Sequence, residues 1–142
     1  MEAEIKLNLA SQNRTGQGLV EFVIVLPFLI LVIFGIIDLG RVFFNAIMVT
    51  NASREGVRYG TFHPSDAAGM VTATQREAQN AGLNIPAGNI SITCPDPTPL
   101  PAGGCPSGSP LRVTAFIDFD LVMDWLLPSP IRVTRFTEMV VP

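Results

Sequence analysis

GQGLVEFVIVLPFLILVIFGIIDLGR, residues 16–41, decides the architecture. Residues 22–37 of it carry no charged side chain at all. Counted from Leu19, the run supplies about the twenty apolar residues that a helix needs to cross a hydrocarbon core. A buried helix of that length in a soluble protein normally keeps a polar face, and none is visible here. The stretch predicts one membrane-spanning helix. Pro27 lies inside it, where it removes a backbone donor and is expected to bend the helix. Gly35 and Gly40 add flexibility or let another helix approach closely. One residue resists this pattern: Glu21, a carboxylate at the mouth of the apolar run. Such a group costs about 2–3 kcal/mol at the centre of a span on insertion scales, and less near the interface.

The sequence before the run gives Glu21 a context. Residues 1–16, MEAEIKLNLASQNRTG, are polar with mixed charges. A secretory signal would have a shorter apolar core and a small-residue cut after it, but DLGRVFF follows instead. Cleavage after Gly16 would leave Gln17 as the new N-terminus, with Glu21 one helical turn beyond the amine. A carboxylate near a helix start is favoured by the macrodipole and the unsatisfied amides. An α-amine titrates near about 7.7–8.0, so it is largely cationic at neutral pH. In a bundle of such helices, Glu21 of one chain can neutralise the Gln17 amine of another and so set their register. The alternative is an interfacial Glu21 that merely reaches water.

The 142 residues have room for this span and one small domain. The net charge of −3 is spread over interspersed acids and bases, so no basic surface argues for nucleic acid. Beyond the span the helical pattern continues to about Thr61, and the Asp38–Arg41 and Glu55–Arg58 spacings allow pairs on one helix face. Arg54 and Arg58, one turn apart, either lie on a solvated stalk or dock a head domain or a neighbouring subunit. Pro64-Ser65-Asp66 offers the cap of a second helix that Gly82 and Pro86 stop. Strands are expected at residues 90–94, 111–119 and 131–141. The fold class is α+β: a long N-terminal transmembrane and spine helix, then a small head with a second helix and a three- to four-stranded antiparallel sheet.

The head offers structural chemistry and no catalytic constellation. Cys94 and Cys105 flank a proline- and glycine-rich loop, and outside the cytoplasm such a pair most often forms a disulfide. Free thiols or a metal are the alternatives, but His63, the single histidine, is far away in sequence and is expected in a loop. Asp118, Asp120 and Asp124 crowd a stretch that lacks the ligand number and the glycine of a calcium loop. They are expected to be solvated acids beside a Trp125–Leu127 anchor. No nucleophile–base pair, phosphate loop or zinc spacing appears, so the chain is expected to be no enzyme, with no cofactor and no metal.

Gly16-Gln17-Gly18-Leu19-Val20-Glu21-Phe22, then Val25-Leu26-Pro27 and Gly35-Ile36-Ile37-Asp38-Leu39-Gly40-Arg41, resemble the N-terminal signature of TadE-like pseudopilins, subunits related to type IV pilins in the tight-adherence pilus system. The run at residues 50–59, TNASREGVRY, is similar to a second stretch of that family. The resemblance implies a cytoplasmic leader at residues 1–16, a hydrophobic helix at 17–61 and an extracytoplasmic head at 62–142. It implies processing between Gly16 and Gln17 by a prepilin peptidase, and assembly through Gln17, Glu21, Phe22 and Pro27. The implied partners are that peptidase, other pilin or pseudopilin subunits, an assembly platform in the inner membrane and the lipid bilayer. The implied location is the cell membrane in a single pass, and an extracellular pilus after assembly for adherence or secretion. A membrane-anchored binding or sensor domain outside the cytoplasm is the alternative, but it would have no use for Gly16 and Glu21.

Overall fold

The computed structural model describes residues 2–96, 98–124 and 129–142, and of residues 2–15 the backbone alone. The element order is α1 (Glu2–Phe62), α2 (Ala67–Asn80), a short 3-10 turn (Ala87–Asn89), β1 (Ile90–Thr93), β2 (Pro110–Phe119) and β3 (Ile131–Val140). The class is α+β with a three-stranded antiparallel sheet in the order β1-β2-β3. The expected strands coincide with the observed ones to within a residue or so at each end. The Trp125–Leu127 anchor lies outside the described residues.

The chain divides into two units, Met1–Asp38 and Leu39–Pro142. In the first, α1 is apolar all round from Phe22 to Ile37, and Pro27 lies within it. Leu19, Phe22, Phe28 and Ile36 all stand well exposed, which is the surface of a helix made for lipid or for other helices. The helix also runs back through the polar residues before the apolar run to Glu2.

In the second unit the core forms where α1, α2 and the inner face of the sheet meet. β2 is the central strand, and its alternation is that of a half-covered antiparallel sheet. Leu111, Val113, Ala115, Ile117 and Phe119 are buried, while Arg112, Thr114 and Phe116 point to the other face. Val49, Ala52 and Val57 of α1 and Met70 and Ala78 of α2 complete the cluster. A hydroxyl pair in this interior is satisfied across elements: Ser53 Oγ and Thr137 Oγ1 lie 2.9 Å apart.

Local signals set the α2 boundaries. Asp66 is the N-cap, its Oδ1 accepting from the Gly69 amide at 2.8 Å. At the other end Gly82 takes φ +78°, and the Leu83 amide reaches back to the Ala78 carbonyl at 2.8 Å. That left-handed glycine closes the last turn.

Candidate functional site

The candidate site is the surface of α1 itself, in two parts. In the first unit Gly16, Gln17, Glu21 and Phe22 are exposed. Nothing lies within 4 Å of where a Gly16 side chain would begin, so its smallness answers no packing need inside this chain. Glu21 makes no hydrogen bond or ion pair with the described residues, and its nearest neighbours in sequence, Leu19, Val20, Val23 and Ile24, are apolar and exposed. Lipid headgroup water or a cation on another subunit is the chemistry that suits such a carboxylate.

The second part, the α1 residues from Leu39 on, is a docking stripe made of small residues. Gly56 and Gly60 are buried and one turn apart, facing α2 and β2. A Cβ at Gly56 would overlap Thr74 Oγ1 and crowd the Met70 carbonyl, and one at Gly60 would overlap the Leu111 and Met70 side chains. The two helices therefore approach through bare backbone. Gly69 of α2 is held in the same way against Tyr59, whose hydroxyl donates to Asp66 Oδ2 at 2.8 Å. Between them the amide of Gly69, first, and the hydroxyl of Tyr59 hold the Asp66 carboxyl below the usual carboxylate range.

The charged residues near this stripe divide into two kinds. Arg58 turns back on its own helix, pairing twice with Glu55 at 2.6 and 2.8 Å, as their spacing predicted. It thus does not dock the head; Val49, Ala52, Ser53, Gly56 and Gly60 do. Arg54 stands instead on a groove shared with Phe43, Ile47, Thr50 and Arg135. Arg135 was not singled out from the sequence. Its signal is the alternation of β3, which puts it on the inner face with Val133 and Thr137, an unusual place for a cation.

On the outer face of the sheet, cations and rings alternate. Arg112 pairs with Asp96 and Glu138 and stacks over Phe136, with its guanidinium carbon 4.5 Å from the ring centroid. Arg132 pairs with Asp118 and stacks over Phe116 at 4.4 Å. That guanidinium holds the Asp118 carboxyl below its ordinary range. Asp118 is therefore an ion-pair member, whereas Asp120 and Asp124 are exposed and outside any ion pair with the described residues. Arg41 stacks over Phe119 at 4.5 Å, a second use of arginine that its sequence spacing to Asp38 did not suggest.

Cys94 and Cys105 are joined in a disulfide, with Cα atoms 5.7 Å apart, and both are buried. His63 lies in the α1–α2 connection stacked on Tyr59, its ring centroid 4.5 Å away. Among the described residues no three potential metal ligands cluster.

Residues 16–58 match the family model for TadE-like proteins. The matched segment covers the lone carboxylate, the apolar run and the first of the two docking glycines. No curated protein and no solved structure matches the chain.

Proposed function

We propose that this TadE-like protein is a membrane-anchored subunit of the tight-adherence pilus machinery, cut after Gly16 and assembled through the apolar part of α1. The observation that carries the proposal is the exposed Glu21, without a partner among the described residues, at the mouth of the apolar run inside the segment that matches the family. The helix has the length and composition of a single membrane anchor. A prepilin peptidase at the cytoplasmic side releases residues 1–16 and exposes the Gln17 amine. Glu21 of one subunit then pairs with the Gln17 amine of its neighbour, residues 19–49 pack among other spines, and Phe22 and Pro27 shape that packing. The head stays outside the cytoplasm, where a disulfide persists. Its role is structural and non-enzymatic.

The mature N-terminus tests this proposal. Protein recovered from sheared surface filaments should give the mass of a chain that begins at Gln17. Gly16→Phe should leave an uncut precursor in the membrane. Assembled protein that still begins at Met1 would show the proposal to be wrong.

A further inference from the structure

Arg54 and Arg135 of the second unit, like Arg76 on α2, are in no ion pair with a carboxylate among the described residues. Arg58, Arg112 and Arg132 each sit in an ion pair. Among the described residues Arg54 forms none, and Arg135 donates only to the Thr134 carbonyl, at 2.9 Å. They line the same groove, of about 300 Å³, together with Phe43, Ile47, Thr50 and Asn51. Phe43 is 61% exposed and Ile47 55% exposed. The groove is apolar in its wall and cationic at its rim. That combination asks for an occupant with acidic ends and an apolar middle.

Such a segment exists in the same unit. Asp120-Leu121-Val122-Met123-Asp124 alternates in exposure: Leu121 and Met123 are buried, while Asp120, Val122 and Asp124 face out. Neither aspartate is in an ion pair with the described residues, although Asp96, Asp118 and Glu138 all are. The outward sequence is acid, apolar, acid. Within one chain, segment 120–124 follows the end of β2, where Phe119 is paired with Ile131, and Arg135 lies four residues further along β3. That is about 13 Å of strand.

We propose that the groove receives segment 120–124 of a second copy of this chain. Asp120 and Asp124 pair with Arg54 and Arg135, and Val122 covers Phe43 and Ile47. Groove and segment are different surfaces, so the contact is heterologous: each copy offers a groove to one neighbour and a segment to another. Contacts of this kind propagate in an open row when the rotation between copies does not close. The proposal deepens the filament assignment and rests on it for its setting.

Full-length protein carrying both Arg135→Cys and Asp124→Cys, oxidised mildly in the membranes of producing cells, tests the contact. A ladder of cross-linked dimers and higher species is expected. Each single cysteine variant alone should stay monomeric, and the two co-produced should give dimers. No ladder from the double variant, or dimers from either single one, would overturn the contact. Charge reversal supplies a second readout. Arg54→Glu with Arg135→Glu should lower the protein recovered in filaments about tenfold or more, and so should Asp120→Arg with Asp124→Arg. All four together should restore recovery, and failure of that rescue means that the groove binds some other acidic partner. An intact Cys94–Cys105 bond in each variant checks the fold. If wild-type protein is absent from filaments while the ladder forms, the filament assignment falls and the contact stands. If reversed and wild-type chains enter filaments equally, the contact falls alone.

Discussion

A single hydrogen atom as a side chain decides how α1 meets the head. At Gly56 the space for a methyl group is already filled by Thr74 Oγ1 and bounded by the Met70 carbonyl. Gly40 lies on the same helix with nothing within 4 Å. The same substitution should therefore act in opposite directions. Gly56→Ala is expected to destabilise the fold by about 1–3 kcal/mol through overpacking. Gly40→Ala should be neutral or stabilising by up to about 1 kcal/mol, because alanine restricts the unfolded chain and favours helix. Thermal unfolding in detergent micelles compares them, and equal effects would refute the close approach. Asp66 supplies a pH test at the same scale. Its carboxyl is held below the ordinary range by the Gly69 amide and the Tyr59 hydroxyl, so the folded state binds a proton less readily than the unfolded chain. The stability this confers is present above the unfolded carboxyl value of about 3.9 and is lost as pH falls through the lower folded value. Asp66→Asn should flatten the stability profile over that acid range and leave its shape at neutral pH unchanged.

At the scale of elements, what was legible in the sequence is what local chemistry dictates. Asp66 and Gly82 mark the ends of α2 because a cap and a left-handed glycine act on their own helix. The alternation in β2 shows because one face of that strand is covered and the other is not. The contacts between elements were not legible. Gly56 and Gly60 look like interruptions of a helical pattern until α2 is placed against them, and Arg135 looks like an ordinary strand cation until α1 lies beside β3. Arg58 pairs with Glu55 on its own helix, as their spacing implied, and not with the head of its own chain. The loop between β1 and β2 joins the two kinds of information: its cysteines are visible in sequence, but their burial is tertiary. Closing a loop with a sequence separation of 11 residues should contribute about 2–3 kcal/mol by restricting the unfolded chain. Cys94→Ala with Cys105→Ala should lower the unfolding free energy by about that amount. Under denaturing conditions, wild-type thiols should resist alkylation until reductant is added. Immediate labelling of both would place the head in a reducing compartment.

For the molecule as a whole, the question is why an apolar helix keeps one carboxylate. Solubility is no answer in a segment whose exposed residues from Leu19 to Leu39 are otherwise suited to lipid. Nor does the carboxylate hold the chain together, since Glu21 touches no donor among the described residues. The proposed Gln17 amine of a neighbouring subunit supplies a cation one helical turn from the same carboxylate position. A charge left alone in a low-dielectric bundle costs several kcal/mol, so removing one partner penalises assembly more than it changes the free subunit. Glu21→Ala should therefore insert into the membrane slightly more easily and yet enter filaments poorly. Glu21→Gln keeps the shape and a hydrogen-bonding group but loses the charge attraction, and it should assemble poorly as well. Cleavage after Gly16 has to be measured alongside, because an uncut chain has no Gln17 amine and would fail to assemble for a different reason. The decisive comparison is between cleaved wild-type and cleaved Glu21→Ala protein in the sheared fraction. Equal recovery would mean that Glu21 only reaches interfacial water, and that the register of the spines is set by their apolar surfaces alone.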